Sequence, residues 1–231
     1  MTTNRNRWER YADRQDAGRT LASELDSYSG RPDVLVLGLP RGGVPVAAVI
    51  AESLKAPLDV VLVRKIGVPG HQEVAMGAMA SAAGSIDTVR NEDVLAKFAK
   101  RYGDSSAFDQ VAAKERTELD RRERVYRAGR PPLDVAGLTL IVVDDGLATG
   151  ATMRAAITVL RKLSPARIVA AIPVGLSGTC RDVGRIADEV VCPWNPQDLV
   201  AVGQAYDRFD QVDDAEVINL LAQNQRPAQA G

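Results

Sequence analysis

An α/β fold, with a central and mainly parallel sheet flanked by helices, is what the sequence predicts, and three observations predict it. Apolar runs of strand length alternate with segments of helical periodicity, the pattern of strands joined by crossover helices. The run Leu140, Ile141, Val142, Val143 has no polar member, as a strand covered on both faces requires. A chain of 231 residues with 45% hydrophobic content can also bury a substantial core. The same composition narrows function. A formal charge of -1 argues against a general nucleic-acid or anionic-membrane surface. Cys180 and Cys192 lack a metal-type spacing and have only His71 for company, so they read as small buried hydrophobes in a reducing compartment. The N-terminus has no apolar signal core, and no stretch reaches about 18 uncharged apolar residues, so a cytoplasmic location is the default expectation.

Taken in order, the pattern first predicts a helix over about residues 7–28, where Trp8, Tyr11, Leu21, Leu25 and Tyr28 recur near helical spacing and Gly18 weakens the middle. A strand follows at 34–38, a helix at 44–54 and, past Pro57, a second strand at 58–63. Residues 64–84 are rich in Gly and Ala, carry a weak strand pattern at 74–80, and read partly as a mobile loop; a short strand is expected at 86–89. Residues 91–127 are helical with a break near 103–106, where Ser105 or Ser106 would cap the second helix. Its charged run at 114–127 mixes signs, with Glu118 and Arg122, Asp120 and Arg124, and Glu123 and Arg127 each four apart, so it reads as a solvated helix face. Pro131 and Pro132 end that region. After the strand at 140–143 come a helix at 151–162, a strand at 167–174, a helix near 179–186, a short strand at 189–192 and a flexible tail at 224–231.

Chemistry begins where the strand at 140–143 stops. Asp144 and Asp145 offer carboxylates to sugar hydroxyls, Gly146 and Gly150 relax the backbone, and Thr149 and Thr152 bring hydroxyls. The helix opening at Ala151 presents first-turn N–H groups, and its dipole favours an anion. Gly38-Leu-Pro-Arg-Gly-Gly-Val44 likewise follows a strand and opens a helix, so Arg41, Gly42 and Gly43 would bring a guanidinium and backbone donors to one anion. Arg64 and Lys65 end the second strand at the same carboxyl edge, where open α/β sheets bind ligands, and both are expected to point toward that anion.

These motifs resemble the type I phosphoribosyltransferases, whose fingerprint is four apolar residues, two acids and a short loop closing on Thr-Gly-x-Thr. The resemblance covers nearly the whole chain. The closer overall match, compared with the adenine enzymes, is to a group of stand-alone bacterial phosphoribosyltransferase-domain proteins that share the Asp13-Arg14…Ala17-Gly18-Arg19 start, residues 38–43, residues 64–73 and residues 202–209. It implies one domain over 1–223, with a core at about 30–193, a long helical insertion at about 91–130, and a small hood from about 194–223 joined by the N-terminal helix. By the same resemblance, Asp144 and Asp145 would meet the ribose hydroxyls of phosphoribosyl pyrophosphate (PRPP). Gly146, Ala148, Thr149, Gly150, Ala151 and Thr152 would complete the ribose-phosphate site. Pro40, Arg41, Gly42, Gly43, Arg64 and Lys65 would take the pyrophosphate, and the family's habit of a cis peptide in this loop makes Pro40–Arg41 the candidate bond. The segment after Lys65 would form a lid carrying His71 and Glu73. In the hood, Trp194, Tyr206 or Phe209 would offer a stacking surface to an acceptor base, or the same rings simply pack the C-terminal helix. Family enzymes acting on 6-oxopurines carry an acid just before the Thr-Gly; Ala148 stands there instead, nearer the adenine enzymes, from which chain order and the insertion differ.

The resemblance thus implies a transferase that moves phosphoribosyl from PRPP to a nitrogen acceptor, a base or an amine, and releases pyrophosphate. Arg41, Lys65, Asp144 and Asp145 would be its catalytic set. Mg²⁺ would be held through the substrate, with Asp144 or Asp145 reaching it through water. No nucleic-acid or membrane partner is expected, and a homodimer is open. The alternative is a regulator or sensor that binds PRPP without catalysis. A nucleotide-dependent kinase or dehydrogenase is set aside, because neither Gly-x-x-x-x-Gly-Lys-Ser/Thr nor Gly-x-Gly-x-x-Gly follows a strand.

Overall fold

Strands β1 (Val34–Gly38), β2 (Leu58–Val68), β3 (His71–Ala82), β4 (Ser85–Arg90), β5 (Thr139–Val143), β6 (Arg167–Ala171) and β7 (Glu189–Val191) form one sheet in the order β4-β3-β2-β1-β5-β6-β7. Strands β2, β1, β5, β6 and β7 run parallel, while β3 and β4 add to the β2 side antiparallel. The computed structural model describes residues 10–82, 85–102, 106–128, 130 and 134–224. The helices are α1 (Arg14–Glu24), α2 (Gly43–Leu54), α3 (Glu92–Tyr102), α4 (Ala107–Tyr126), α5 (Ala151–Lys162), α6 (Ser177–Val183) and α7 (Asp214–Gln223).

The sheet is covered on both faces, and its central strands β1 and β5 are buried at every position. Side chains alternate across a strand, so Val34, Val36, Ile141 and Val143 enter one core with Leu21 of α1, Val44 and Ile50 of α2, Leu119 of α4 and Leu221 of α7. Leu35, Leu37, Leu140 and Val142 enter the other, with Met153, Ile157 and Leu160 of α5 and Val183 of α6. A third, smaller cluster of Tyr11, Ala17, Val174, Ala205 and Tyr206 joins the start of the described chain to residues near its end. There Tyr11 N–H donates to Ala205 O at 2.9 Å and Asp207 N–H to Tyr11 O at 2.9 Å, a short parallel bridge.

Several expectations from the sequence are corrected. The first helix begins only at Arg14, because Asp13 caps it by accepting from Asp16 N–H at 2.9 Å, and Tyr11 upstream is in the bridge. Trp8 lies outside the described residues. The stretch read partly as a mobile loop is instead a long antiparallel ribbon. Strand β2 runs on past its last pairing with β1, at Val60, to Val68, turns at Pro69 and Gly70, and returns as β3. Small residues misled the reading, since Gly77, Ala78 and Ala80 lie beneath β4, α4 and α5 rather than in solvent. Strand β6 stops at Ala171, close to Pro173, which has no N–H for a ladder. Ser106 holds the N-cap position of α4, but its hydroxyl accepts from Gln110 rather than capping; Ser105 is outside the described residues.

The charged run is a solvated face only in part. Glu118 pairs with Arg121 and Arg122 at the surface. Arg127, by contrast, is buried, and its Nη2 lies 3.2 Å from Asp59 Oδ2, so the end of α4 is tied to the start of β2 through an ion pair 3–5% exposed. Arg130 Nη1 adds a bond to Leu58 O at 3.2 Å, and its Nη2 donates to Leu221 O.

Candidate active site

Two loops meet where β1 and β5 end. The strands pair through Gly38 and Val143, and Leu39 N–H continues the ladder to Val143 O at 2.8 Å. The chain then passes through a cis Pro40–Arg41 bond, as the resemblance implied, and enters α2. Glycine is required here by close approach. A Cβ on Gly42 would stand 1.9 Å from Asp145 Oδ2, and one on Gly43 would stand 2.5 Å from Val143 O. The two loops are therefore in direct contact.

On the β5 side, Asp144 Oδ1 accepts from Asp145 N–H at 2.9 Å. Asp145 Oδ2 accepts two bonds from Arg14, from Nε at 3.0 Å and Nη2 at 2.9 Å. Burial pushes the Asp144 carboxyl well above the usual carboxylate range, and the neighbouring Asp145 charge adds to the rise. Burial also raises Asp145, opposed by the Arg14 guanidinium. Past Gly146 and Leu147, Ala148 and Thr149 are exposed, and Gly150 occupies the N-cap of α5 at φ +68°. The first intrahelical bond there is Arg154 N–H to Gly150 O, so the N–H groups of Ala151, Thr152 and Met153 precede the helical ladder. Ala151 N–H reaches Thr149 Oγ1 only at 3.4 Å, and Thr152 is exposed. The loop is held from behind, since Thr179 Oγ1 donates to Ala148 O at 3.0 Å and Arg154 Nη1 to Thr149 O at 2.9 Å.

The expected basic residues separate. Arg41 is exposed, with Nη1 3.8 Å from Asp214 Oδ1, an oxygen that also accepts from the Tyr126 hydroxyl. Lys65 is exposed on β2. Arg64, expected to point the same way, points to the opposite face, as consecutive strand residues must, and its Nε donates to Glu115 Oε2 of α4 at 2.6 Å. His71 and Glu73 lie in β3, but their side chains are outside the described residues.

The aromatic residues are brought together. Trp194 meets Tyr11 edge-on at 5.9 Å between ring centroids, Tyr11 meets Tyr206 at 5.6 Å, and Tyr206 meets Phe209 at 4.9 Å. Tyr206 is buried and donates to Asp145 O at 2.5 Å; burial raises its hydroxyl pKa, which keeps that proton in place. Phe209 has one face covered by Arg14, whose guanidinium carbon is 3.9 Å from the ring centroid. Trp194 remains half-buried.

Sequence reasoning assigned no role to Arg14, Arg154 or Thr179. Arg14 was visible only as part of the shared Asp13-Arg14 pattern, and no local spacing connects it to a carboxylate 131 residues away. A cavity of about 810 Å³ lies among α1, α2 and α7; it is lined by Arg14, Arg19, Glu52, Gln211 and Glu216 and includes neither acid of the pair.

Comparison with known proteins gives the family. The family model for the phosphoribosyl transferase domain matches residues 7–193. The Mycobacterium tuberculosis protein Rv0571c, whose name carries a provisional phosphoribosyl transferase assignment, is 45% identical over 224 residues, covering 96% of this chain and 48% of its own length. The chain thus spans about half the length of the curated relatives it matches there. Among solved structures, TT1426 from Thermus thermophilus superposes with a TM-score of 0.80 at 40% identity, over 94% of this chain and 100% of that one. With the fingerprint strand, its loop and the facing glycine loop all inside the matched region, the chain belongs to the phosphoribosyl transferase domain family.

Proposed function

We propose that the protein transfers the phosphoribosyl group of Mg-PRPP to a nitrogen acceptor and releases pyrophosphate. The observation that carries this is the contact between the two loops, in which Leu39 bonds to Val143 and Gly42 packs on Asp145. Two anion-binding loops one strand apart, about 4.8 Å at the sheet, suit a substrate with phosphate groups on either side of a ribose.

In this reading the loop 148–152 and the first turn of α5 hold the 5-phosphate, far from the bond that reacts, and that binding is used for orientation. Asp144 and Asp145 accept from the ribose hydroxyls. The loop 40–43 receives the pyrophosphate through backbone donors and Arg41, and Lys65 adds charge from β2. Arg64 would have to leave Glu115 to reach the same anion, so the leaving-group charge is assigned to Arg41 and Lys65. As the anomeric carbon loses pyrophosphate it gains oxocarbenium character, and the acceptor nitrogen supplies the new bond from its own lone pair. Trp194 is assigned to the acceptor, because Tyr206 is buried and Phe209, although 37% exposed, already has Arg14 over one face and Tyr206 4.9 Å away.

Among the described residues, no three His, Cys, Asp or Glu side chains cluster as a metal site. The donors present are two carboxylates, one of them committed to Arg14, and this suits Mg²⁺ held mainly by substrate oxygens with Asp144 or Asp145 reaching it through water. When bound, the cation neutralises charge on the pyrophosphate.

The test is pyrophosphate release from PRPP across a panel of bases and amines. Asp145→Asn combined with Lys65→Ala is expected to lower the rate by about 10²-fold or more; rates like those of the unaltered protein would sink the assignment. Calorimetric binding of Mg-PRPP with no turnover on any acceptor would favour the regulator or sensor instead.

A further inference from the structure

Two cysteines that the proposed reaction does not use lie side by side at the edge of the site. Cys180, in α6, is buried, and Cys192, one residue past β7, is half-buried; both are free thiols. Their sulfurs are 3.3 Å apart, so that Cys180 donates toward Cys192, and Cys192 Sγ in turn lies 3.6 Å from Trp194 O. Gly175 makes room for both: a Cβ there would stand 2.8 Å from the Cys180 sulfur and 3.5 Å from the Cys192 sulfur. Both cysteines do pack with the apolar core, Cys180 within it and Cys192 partly buried against it, and they also form a thiol pair.

Its position connects two parts of the site. Thr179, adjacent to Cys180, holds Ala148 O, and Gly150 lies against the same threonine. Cys192 leads into Trp194, which bridges to Val174 and packs on Tyr11. We propose that Cys180 and Cys192 are a modification site for peroxide, forming a reversible disulfide that ties the loop 147–150, through α6, to the segment 192–195.

The chemistry closes on these two sulfurs. The Cys180 thiol gives up its proton and the thiolate attacks one oxygen of hydrogen peroxide; the O–O bond breaks, the leaving hydroxide takes up that proton, and a sulfenic acid and a water result. Cys192, already in contact, then attacks that sulfur; the S–S bond forms, the S–O bond breaks, and a second water leaves. Two thiols and one peroxide give one disulfide and two waters. The contact with Cys192 holds the Cys180 thiol below its ordinary pKa, while the same contact and burial raise Cys192, which matches the order of attack.

The test takes the fully reduced chain and hydrogen peroxide. Expected is a loss of the mass of two hydrogen atoms with no oxygen added, disappearance of both titratable thiols, and recovery of both with dithiothreitol. Trypsin cuts after Arg181 and Arg185, so the cysteines fall on separate peptides that are expected to remain joined until reduction. Cys192→Ser is expected to add oxygen at Cys180 and form no link. Persistence of both thiols, oxygen added to either sulfur of the unaltered chain, or disulfides only between chains would each overturn the proposal. Amide exchange supplies the second readout: oxidation is expected to slow it across 147–150 and 192–195, and unchanged exchange in the loop would overturn the coupling. Neither readout requires turnover or PRPP, so the outcome is separate from that of the transferase reading.

Discussion

Asp144 carries a stability cost set by its burial beside Asp145. Its carboxyl is raised by burial and by Asp145, so the folded chain keeps a proton at pH values where the unfolded chain has lost it. Stability from this group therefore falls as pH rises from the ordinary carboxylate pKa toward the raised one. Asp144→Asn removes the charge yet keeps an oxygen for Asp145 N–H. The variant without ligand is expected to melt higher than the unaltered protein at neutral pH, with the gain shrinking toward pH ~4; a gain independent of pH would refute the linkage. Arg14 has the opposite sign. Replacing it with Ala leaves the Asp145 carboxyl in place without its cation, and stability is expected to fall by about 2 kcal/mol in denaturant titration. PRPP affinity is expected to fall with it, and Lys at this position restores only part, since an ammonium cannot reproduce the two-bond fork. The fingerprint acids were legible from their neighbours in sequence. Arg14 was not, because its partner is fixed only when the N-terminal segment pairs beside Tyr206.

At the scale of elements, the fold depends on how α4 grips the extension of β2. Phe108, Leu119 and Tyr126 pack with Leu62, Ile66, Met76 and Met79, and the helix is pinned at its end by the buried Arg127–Asp59 pair. Asp59 is itself raised by burial, with Arg127 opposing the shift. Arg127→Ala leaves that carboxylate buried with the Val60 N–H and, at 3.9 Å, the Arg130 guanidinium beside it among the described residues, and is expected to destabilise the protein by about 3–5 kcal/mol in urea titration. A loss below about 1 kcal/mol would show that the pair is a surface-like contact. The central strands were legible because an apolar run covered on both faces has one reading. The β2–β3 ribbon was not, because Gly and Ala carry little strand signal until the helices that cover them are in place.

For the whole molecule, the cluster around Tyr11 and Tyr206 and the sheet are joined by several independent links. Tyr11 and Tyr206 bridge the two ends of the described chain, Tyr206 holds Asp145 O, Arg14 holds the Asp145 carboxylate and Asp210 O, and Tyr11 OH donates to Pro173 O. Thermal unfolding is accordingly expected as one calorimetric transition followed equally by tyrosine absorbance and far-ultraviolet dichroism, whereas two resolved transitions would show that the Tyr11–Tyr206 cluster melts separately. The sequence alone determined the alternation of strands and helices, the two glycine-bearing loops after strands, and the acids beside them, because each rests on contacts among residues near in the chain. The tertiary structure decided that Asp145 answers to Arg14, that Arg64 turns to Glu115 while Lys65 stays exposed, and that Cys180 meets Cys192. The physical reason is that these contacts are set by pleat direction and by chain segments packed edge to edge, and neither leaves a spacing that a linear reading can detect.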